Sequence, residues 1–107
     1  MAVRCEINNP SAEQFPERGI LSETVHKNDH TALVVMHLAS GEELNEHTSK
    51  FPVWIQTYDG QGVLKTPTEE HEMRPGTWIF LNPSEEHAVY PVGDRVLRFA
   101  LVIMKCP

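Results

Sequence analysis

The sequence predicts an all-β fold, a sandwich or barrel of short strands, on three observations. Eight prolines and six glycines break the 107 residues at short intervals. The runs between them are rich in Val, Ile, Thr, Trp, Tyr and Phe, residues that suit a pleated, half-buried surface. No stretch of useful length repeats its apolar residues with helical spacing. The best helical candidate is Ser11-Ala12-Glu13-Gln14-Phe15 with Ser11 as N-cap, and Pro16 stops it after about one turn.

Strands are expected at residues 3–8, 20–26, 32–39, 53–58, 63–66, 70–73, 77–81, 87–91 and 95–104. The turns between them carry the usual chemistry. Asn28-Asp29 separates the second and third strands, and Asp59-Gly60-Gln61-Gly62 follows the fourth. Pro67-Thr68-Glu69 forms a hairpin tip, Pro75-Gly76 a further turn, and Val92-Gly93-Asp94 closes the last hairpin. The last strand stands apart. Its segment Phe99-Ala100-Leu101-Val102-Ile103-Met104 is apolar on both faces, whereas an outer antiparallel strand alternates. Both faces therefore need cover, one from the second sheet and one from something else. A second copy of the chain is the simplest such cover, so a homodimer is expected.

The length fits one domain over residues 1–107, with enough surface to bury a core. The formal charge is −6 with no Lys/Arg cluster, which argues against nucleic acid and anionic membranes as partners. Cys5 and Cys106 lack metal or redox spacing and read as reduced thiols. Arg4 and Glu6 stand where a secretory signal would need an apolar run. The apolar run at 99–104 is far too short to cross a bilayer. A cytoplasmic location is the expectation.

Two separated segments carry the functional signal. The first runs from Gly41 through His47-Thr48-Ser49 to Phe51-Pro52-Val53-Trp54-Ile55 and Gly60. The second runs Arg74-Pro75-Gly76-Thr77-Trp78-Ile79-Phe80-Leu81-Asn82-Pro83-Ser84-Glu85-Glu86-His87. Each has a glycine turn, an apolar strand and a histidine at a strand edge. Together they suggest two histidines brought into the mouth of a small β-barrel.

These segments resemble the two conserved motifs of the cupins, small double-sheet jelly-roll barrels also described as double-stranded β-helices. The first family motif is a glycine, five residues, a histidine, one residue, a second histidine, three or four residues, a glutamate, six residues and a glycine. Gly41 and His47 match its start, and Gly60 matches its end. Pro75-Gly76, the strand at 78–81, Pro83 and His87 fit the second motif. The chain departs from the family in three places. Ser49 stands at the second histidine, Val53 at the glutamate, and Pro91 at an asparagine often found after the motif-two histidine. The resemblance implies one divalent metal ion held by His47 and His87, with its identity open. Two imidazoles alone leave such an ion under-coordinated, and a serine hydroxyl is a poor ligand.

Strand alternation adds a pocket. If His47 faces inward, Ser49, Phe51, Val53, Ile55 and Thr57 tend to follow it. Ser49, Phe51, Val53 and Ile55 are therefore candidates for the wall of a pocket holding a small organic ligand. His37 is a candidate third metal ligand, weighed against an outer-face or core-edge position, which is favoured. His71 reads as part of an exposed acidic turn, and His26 and His30 as flanking a turn. Glu42, Glu43, Glu46, Glu85 and Glu86 could serve as acids or bases or hold an imidazole, although solvated loop carboxylates are the simpler reading. Trp54 and Trp78 read as core or interface residues.

Two functions from different classes remain open. One is a metal-dependent enzyme, a dioxygenase or isomerase acting on a small organic substrate. The other is a non-catalytic metabolite-binding or sensing module. Ser49 and Val53 at usual ligand positions favour the second, and the spacing of His47 and His87 keeps the first. Whether the chain is an enzyme is left undecided by the sequence.

Overall fold

The computed structural model describes residues 2–11, 14–15 and 19–105, with Glu46 and His47 described by backbone pairing alone. Nine strands follow in chain order: β1 Ile20–Lys27, β2 Thr31–Leu38, β3 Leu44–His47, β4 Val53–Asp59, β5 Gly62–Lys65, β6 Glu70–Met73, β7 Trp78–Leu81, β8 His87–Pro91 and β9 Leu97–Met104. They form a five-stranded sheet, β1-β2-β9-β4-β7, and a four-stranded sheet, β3-β8-β5-β6. Every pairing is antiparallel. The chain is therefore all-β, as its composition predicts, and the strand bounds agree with expectation to within one or two residues.

Alternation explains how the sheets face each other. In β4, Val53, Ile55 and Thr57 are buried while Trp54 between them is exposed. The inward positions of both sheets meet in one core of Met36, Leu38, Val53, Ile55, Leu64, Met73, Leu81, Val89, Leu97 and Phe99. A fully buried side chain such as Phe99 or Ile55 is worth roughly 1.5–3 kcal/mol over its exposed state. Beta9 lies at the centre of the larger sheet, in register with β2 along its whole length and with β4 along most of it.

The outer face of β9 is buried over the first half of the strand and only half-buried at Val102 and Met104. Its outward residues Arg98 and Ala100 are 8% and 6% exposed. The cover comes in part from the same chain, since the Pro10 carbonyl accepts a bond from Arg98, and Val3 and Cys5 line a groove with Leu33 and Val102.

Two expectations are corrected. Residues 3–8 form no strand. They lie across the outer face of a sheet rather than beside one of its edges, so their backbone has no ladder to join. Beta3 was not expected, because Leu44-Asn45-Glu46-His47 is short and polar and stands at a sheet edge. The one-turn helix at 11–15 falls partly outside the described residues. Within them, the Gln14 amide donates to the Ser11 carbonyl at 2.9 Å and the Gln14 side chain accepts from the Ser11 amide at 2.8 Å.

Next to this covered stretch lies an uncovered one. Trp54 on β4 and Trp78 and Phe80 on β7 share the outer face and are 39%, 53% and 40% exposed. Trp54 packs edge-to-face against Trp78 with ring centroids 6.1 Å apart, and at a tilt against Phe80 at 5.1 Å.

Gly60 shows why the first segment ends in glycine. Its φ is +79°, and an added Cβ would lie 2.2 Å from the Val96 carbonyl oxygen. Gly76, at φ +94°, has open space around the same position. Gly76→Ala should therefore cost about 1–2 kcal/mol, the backbone penalty alone. Gly60→Ala adds a backbone collision and should cost at least twice that. Denaturant unfolding of both variants checks the ratio, and equal losses would contradict the close approach.

Candidate functional site

The two histidine-bearing segments converge. His47 on β3 is the direct ladder partner of His87 on β8. Leu44 pairs with Val89, so β3 spends three steps where β8 spends two. This bulge inserts one residue into β3. Leu44 and Val89 belong to the inward, core-packed set. Without the bulge, position 47 would fall out of phase with inward-facing Leu44, and with it position 47 comes level with His87.

Loop hydrogen bonds tie the segments further. The Ser84 amide donates to the Ser49 carbonyl at 2.7 Å, joining the loop before β8 to the loop after β3. The Ser49 hydroxyl accepts from the Phe51 amide at 3.2 Å. The turn before His87 is closed by Glu85, whose carboxylate accepts from the Asn82 amide at 3.1 Å and whose amide donates to the Asn82 carbonyl at 3.2 Å. Ser84 adopts φ +65° within this turn, an uncommon value for a residue other than glycine.

His87 is buried, at 6% exposure, and its Nδ1 lies 3.1 Å from the Glu85 carbonyl oxygen. A carbonyl only accepts, so Nδ1 carries the proton and the lone pair of the neutral ring lies on Nε2. This is the arrangement a ligating or proton-accepting imidazole uses.

Beside His87 opens a cavity of about 650 Å³, whose lining includes Glu43, Asn45, Lys65, Thr66 and Glu86. Thr66 is fixed by its own turn, since its hydroxyl accepts from the Glu69 amide at 3.0 Å while its amide donates to the Glu69 carbonyl at 2.9 Å. The cavity offers carboxylates, an ammonium, an amide and an imidazole. It can hold a polar molecule bearing both donors and acceptors.

The remaining candidates are distributed as follows. Val53 and Ile55 lie in the core, at 5% and 1% exposure. Ser49 and Phe51 are half-buried in the segment joining β3 to β4. None of these four lines the cavity beside His87. Among the described residues, no group of three or more His, Cys, Asp or Glu side chains is placed to hold a metal ion. The side chain of His47 lies outside the described residues. At the positions where the family carries further ligands, Ser49 offers only a neutral hydroxyl, a poor ligand, and Val53 offers no donor atom.

His37 takes the outer-face position. Its ladder partner is Arg98, an outward residue of β9, so it faces away from the core and from His87. It is fully buried there, its Nδ1 is 2.8 Å from Arg98 Nη1, and Phe15 meets its ring edge-on. Burial, and then Arg98, push its pKa below the ordinary histidine value, while Glu23 pulls it upward. The Arg98 cluster itself escaped the sequence reading. Its one signal was a charged residue entering an otherwise apolar strand, where burial requires partners. His71 pairs with Glu69 on the exposed hairpin at 3.0 Å. His26 contacts the Asn28 side chain, and Asn28 closes the expected turn by accepting from the His30 and Thr31 amides.

Two antiparallel sheets packed face to face, with paired histidine positions where two strands meet at one end of the smaller sheet, define a small cupin. The family model for the AraC-like ligand binding domain matches residues 38–106, well over half of the chain. The chain belongs to that family. Solved structures share its fold at low sequence identity. An RmlC-like cupin family protein from Methanocaldococcus jannaschii superposes with TM-score 0.79 at 16% identity, over 97% of this chain and 91% of that one. An RmlC-like cupin from Desulfovibrio desulfuricans gives 0.78 at 20% identity, over 94% and 95%. The polyketide cyclase RemF from Streptomyces resistomycificus gives 0.73 at 16%, over 94% and 81%. No curated protein matches the sequence.

The His87 hydrogen bond has a spectroscopic consequence. Nitrogen-15 NMR of the unprotonated form should find its one ring proton on Nδ1. A ring protonated at Nε2 would mean that the Glu85 carbonyl does not orient it.

Proposed function

We propose that this chain is a single-domain cupin over residues 1–107 that binds a small polar organic molecule at the end of the barrel marked by His87, without a tightly held metal. The observation that carries this reading is the cavity beside His87, where groups of both charges surround an oriented imidazole. The family's description as a ligand-binding domain supports it. Under this reading His47 and His87 meet the ligand's polar end, Glu43, Asn45, Lys65, Thr66 and Glu86 surround it, and Ser49, Phe51, Val53 and Ile55 support the site from the β3–β4 segment and the core without touching the ligand. Ser49 and Val53, at positions where a metal-binding cupin carries ligands, favour binding over catalysis.

The ladder pairing of His47 with His87 favours a second reading, in which the two histidines share one divalent ion and the chain is a metal-dependent dioxygenase or isomerase. Metal analysis of protein purified without a histidine tag separates the two. Well under one ion per chain is expected. A near-stoichiometric ion that disappears in a His47→Ala/His87→Ala double variant would reverse the order. For the binding site itself, a screen of small polar metabolites by thermal shift should find compounds that raise the Tm. Their effect should be lost in a Lys65→Met/Glu86→Gln variant that unfolds at the parent's temperature.

We also propose that the protein is cytoplasmic and homodimeric, with neither nucleic acid nor a membrane surface as a partner. The formal charge of −6 supports the last point. Among the described residues, no helix is long and apolar enough to cross a membrane. The exposed Trp54, Trp78 and Phe80 cluster supports a dimer through the outer face of β4 and β7. Light scattering at micromolar concentration should give a dimer for the parent and a monomer for Trp78→Glu. A monomeric parent would remove this interface.

A further inference from the structure

The amino-terminal segment and the larger sheet meet at one buried cation. The Arg98 guanidinium reaches three separate elements. Nη1 donates to His37 Nδ1 on β2 at 2.8 Å, Nη2 donates to the Pro10 carbonyl at 3.0 Å, and Nε lies 3.4 Å from Asp59 Oδ2 on β4. Asp59 is shared, since Arg95 donates to its other oxygen at 2.7 Å. The same segment touches His37 through Phe15, at 6.2 Å between ring centroids, and reaches β4 where the Tyr58 hydroxyl donates to Asn9 at 3.3 Å.

A guanidinium only donates, so His37 Nδ1 must be the unprotonated acceptor and the ring proton sits on Nε2. That Nε2 is buried without a hydrogen-bond partner among the described residues. The charged and titratable groups around the ring are Arg98 from β9, Glu23 from β1, and Asp59 and Tyr58 from β4 on the far side of the guanidinium. Phe15 brings none. A second proton on this ring would turn the acceptor into a donor and set an imidazolium against a guanidinium at hydrogen-bond distance.

We propose that His37 is a proton-operated clasp for the amino-terminal segment: protonation at Nδ1 breaks the bond to Arg98 and releases Pro10 and Phe15 from the outer face of the larger sheet. The sign follows from linkage. The docked state holds His37 neutral, with its pKa below the ordinary value of about 6.5, and release returns water to the ring and moves the pKa back towards that value. Docking is therefore fully supported above about pH 6.5 and weakens as pH falls below it. Release opens the outer face at His37, Arg98 and Tyr58, where Phe15, Pro10 and Asn9 now meet it.

Cys5, which lines the groove with Leu33 and Val102, supplies the test. A spin label on Cys5 of the full chain, carrying Cys106→Ser, should broaden the methyl signals of Leu33 and Val102 at about pH 7.5. The broadening should be lost at about pH 5, with the midpoint of the His37 ring titration followed by NMR in the same sample. In His37→Gln, whose amide oxygen accepts from Arg98 but does not titrate, the broadening should persist at both values. Persistent broadening in the parent at the lower pH overturns the proposal, as does equal recovery in His37→Gln. Should that variant fail to fold, a release midpoint in the parent that follows another histidine overturns it as well.

Discussion

Beta9 has to be hidden on both faces, and much of the molecule is arranged around that requirement. Its inward side chains, Leu97 and Phe99, sit at the heart of the core between the sheets. Its edges are taken by β2 and β4, which fixes the register of the larger sheet. Its outward side chains would be left against water by any single pair of sheets. The chain lays its own amino-terminal segment over part of that surface. Arg98 makes this possible, because a guanidinium can serve a backbone carbonyl, an imidazole and a carboxylate at once. A buried cation with fewer partners would cost several kcal/mol.

The same sheet arrangement creates the candidate site at the edge of the smaller sheet. The bulge in β3 and the Ser49–Ser84 hydrogen bond bring together two segments some forty residues apart in the chain. Ser49 is instructive here. Where the metal-binding members of the fold carry a ligand, this residue closes a backbone turn with its hydroxyl and fastens the second loop with its carbonyl. The position has a structural role that requires no metal.

The sequence was most informative where one local rule decided the outcome. Glycine and proline turns located eight of the nine strands, and the strict spacing from Gly41 to His47 and Gly60 pointed to the barrel. It was least informative where a feature depends on the third dimension. The segment at 3–8 has strand-like residues, yet it meets a sheet face rather than an edge. Strand β3 is too short and polar for its alternation to stand out, and its bulge interrupts even that. The Asp59–Arg98–His37 row joins residues that are remote in sequence, so nothing local announces it. Alternation correctly placed Val53 and Ile55 inside, but it could not distinguish a core wall from the lining of the cavity beside His87.

The placement of the two tryptophans determines what the protein's own fluorescence can report. Both indoles lie on the outer face of β4 and β7, in partial contact with water and with each other, and neither belongs to the core or to the lining of the cavity beside His87. Intrinsic emission is therefore a sensor of that face. It will register association, or a change in what lies beside Trp54, before any loosening of the interior. A molecule entering beside His87 would pass almost unseen by it, so an unchanged emission spectrum is no sign that nothing has bound.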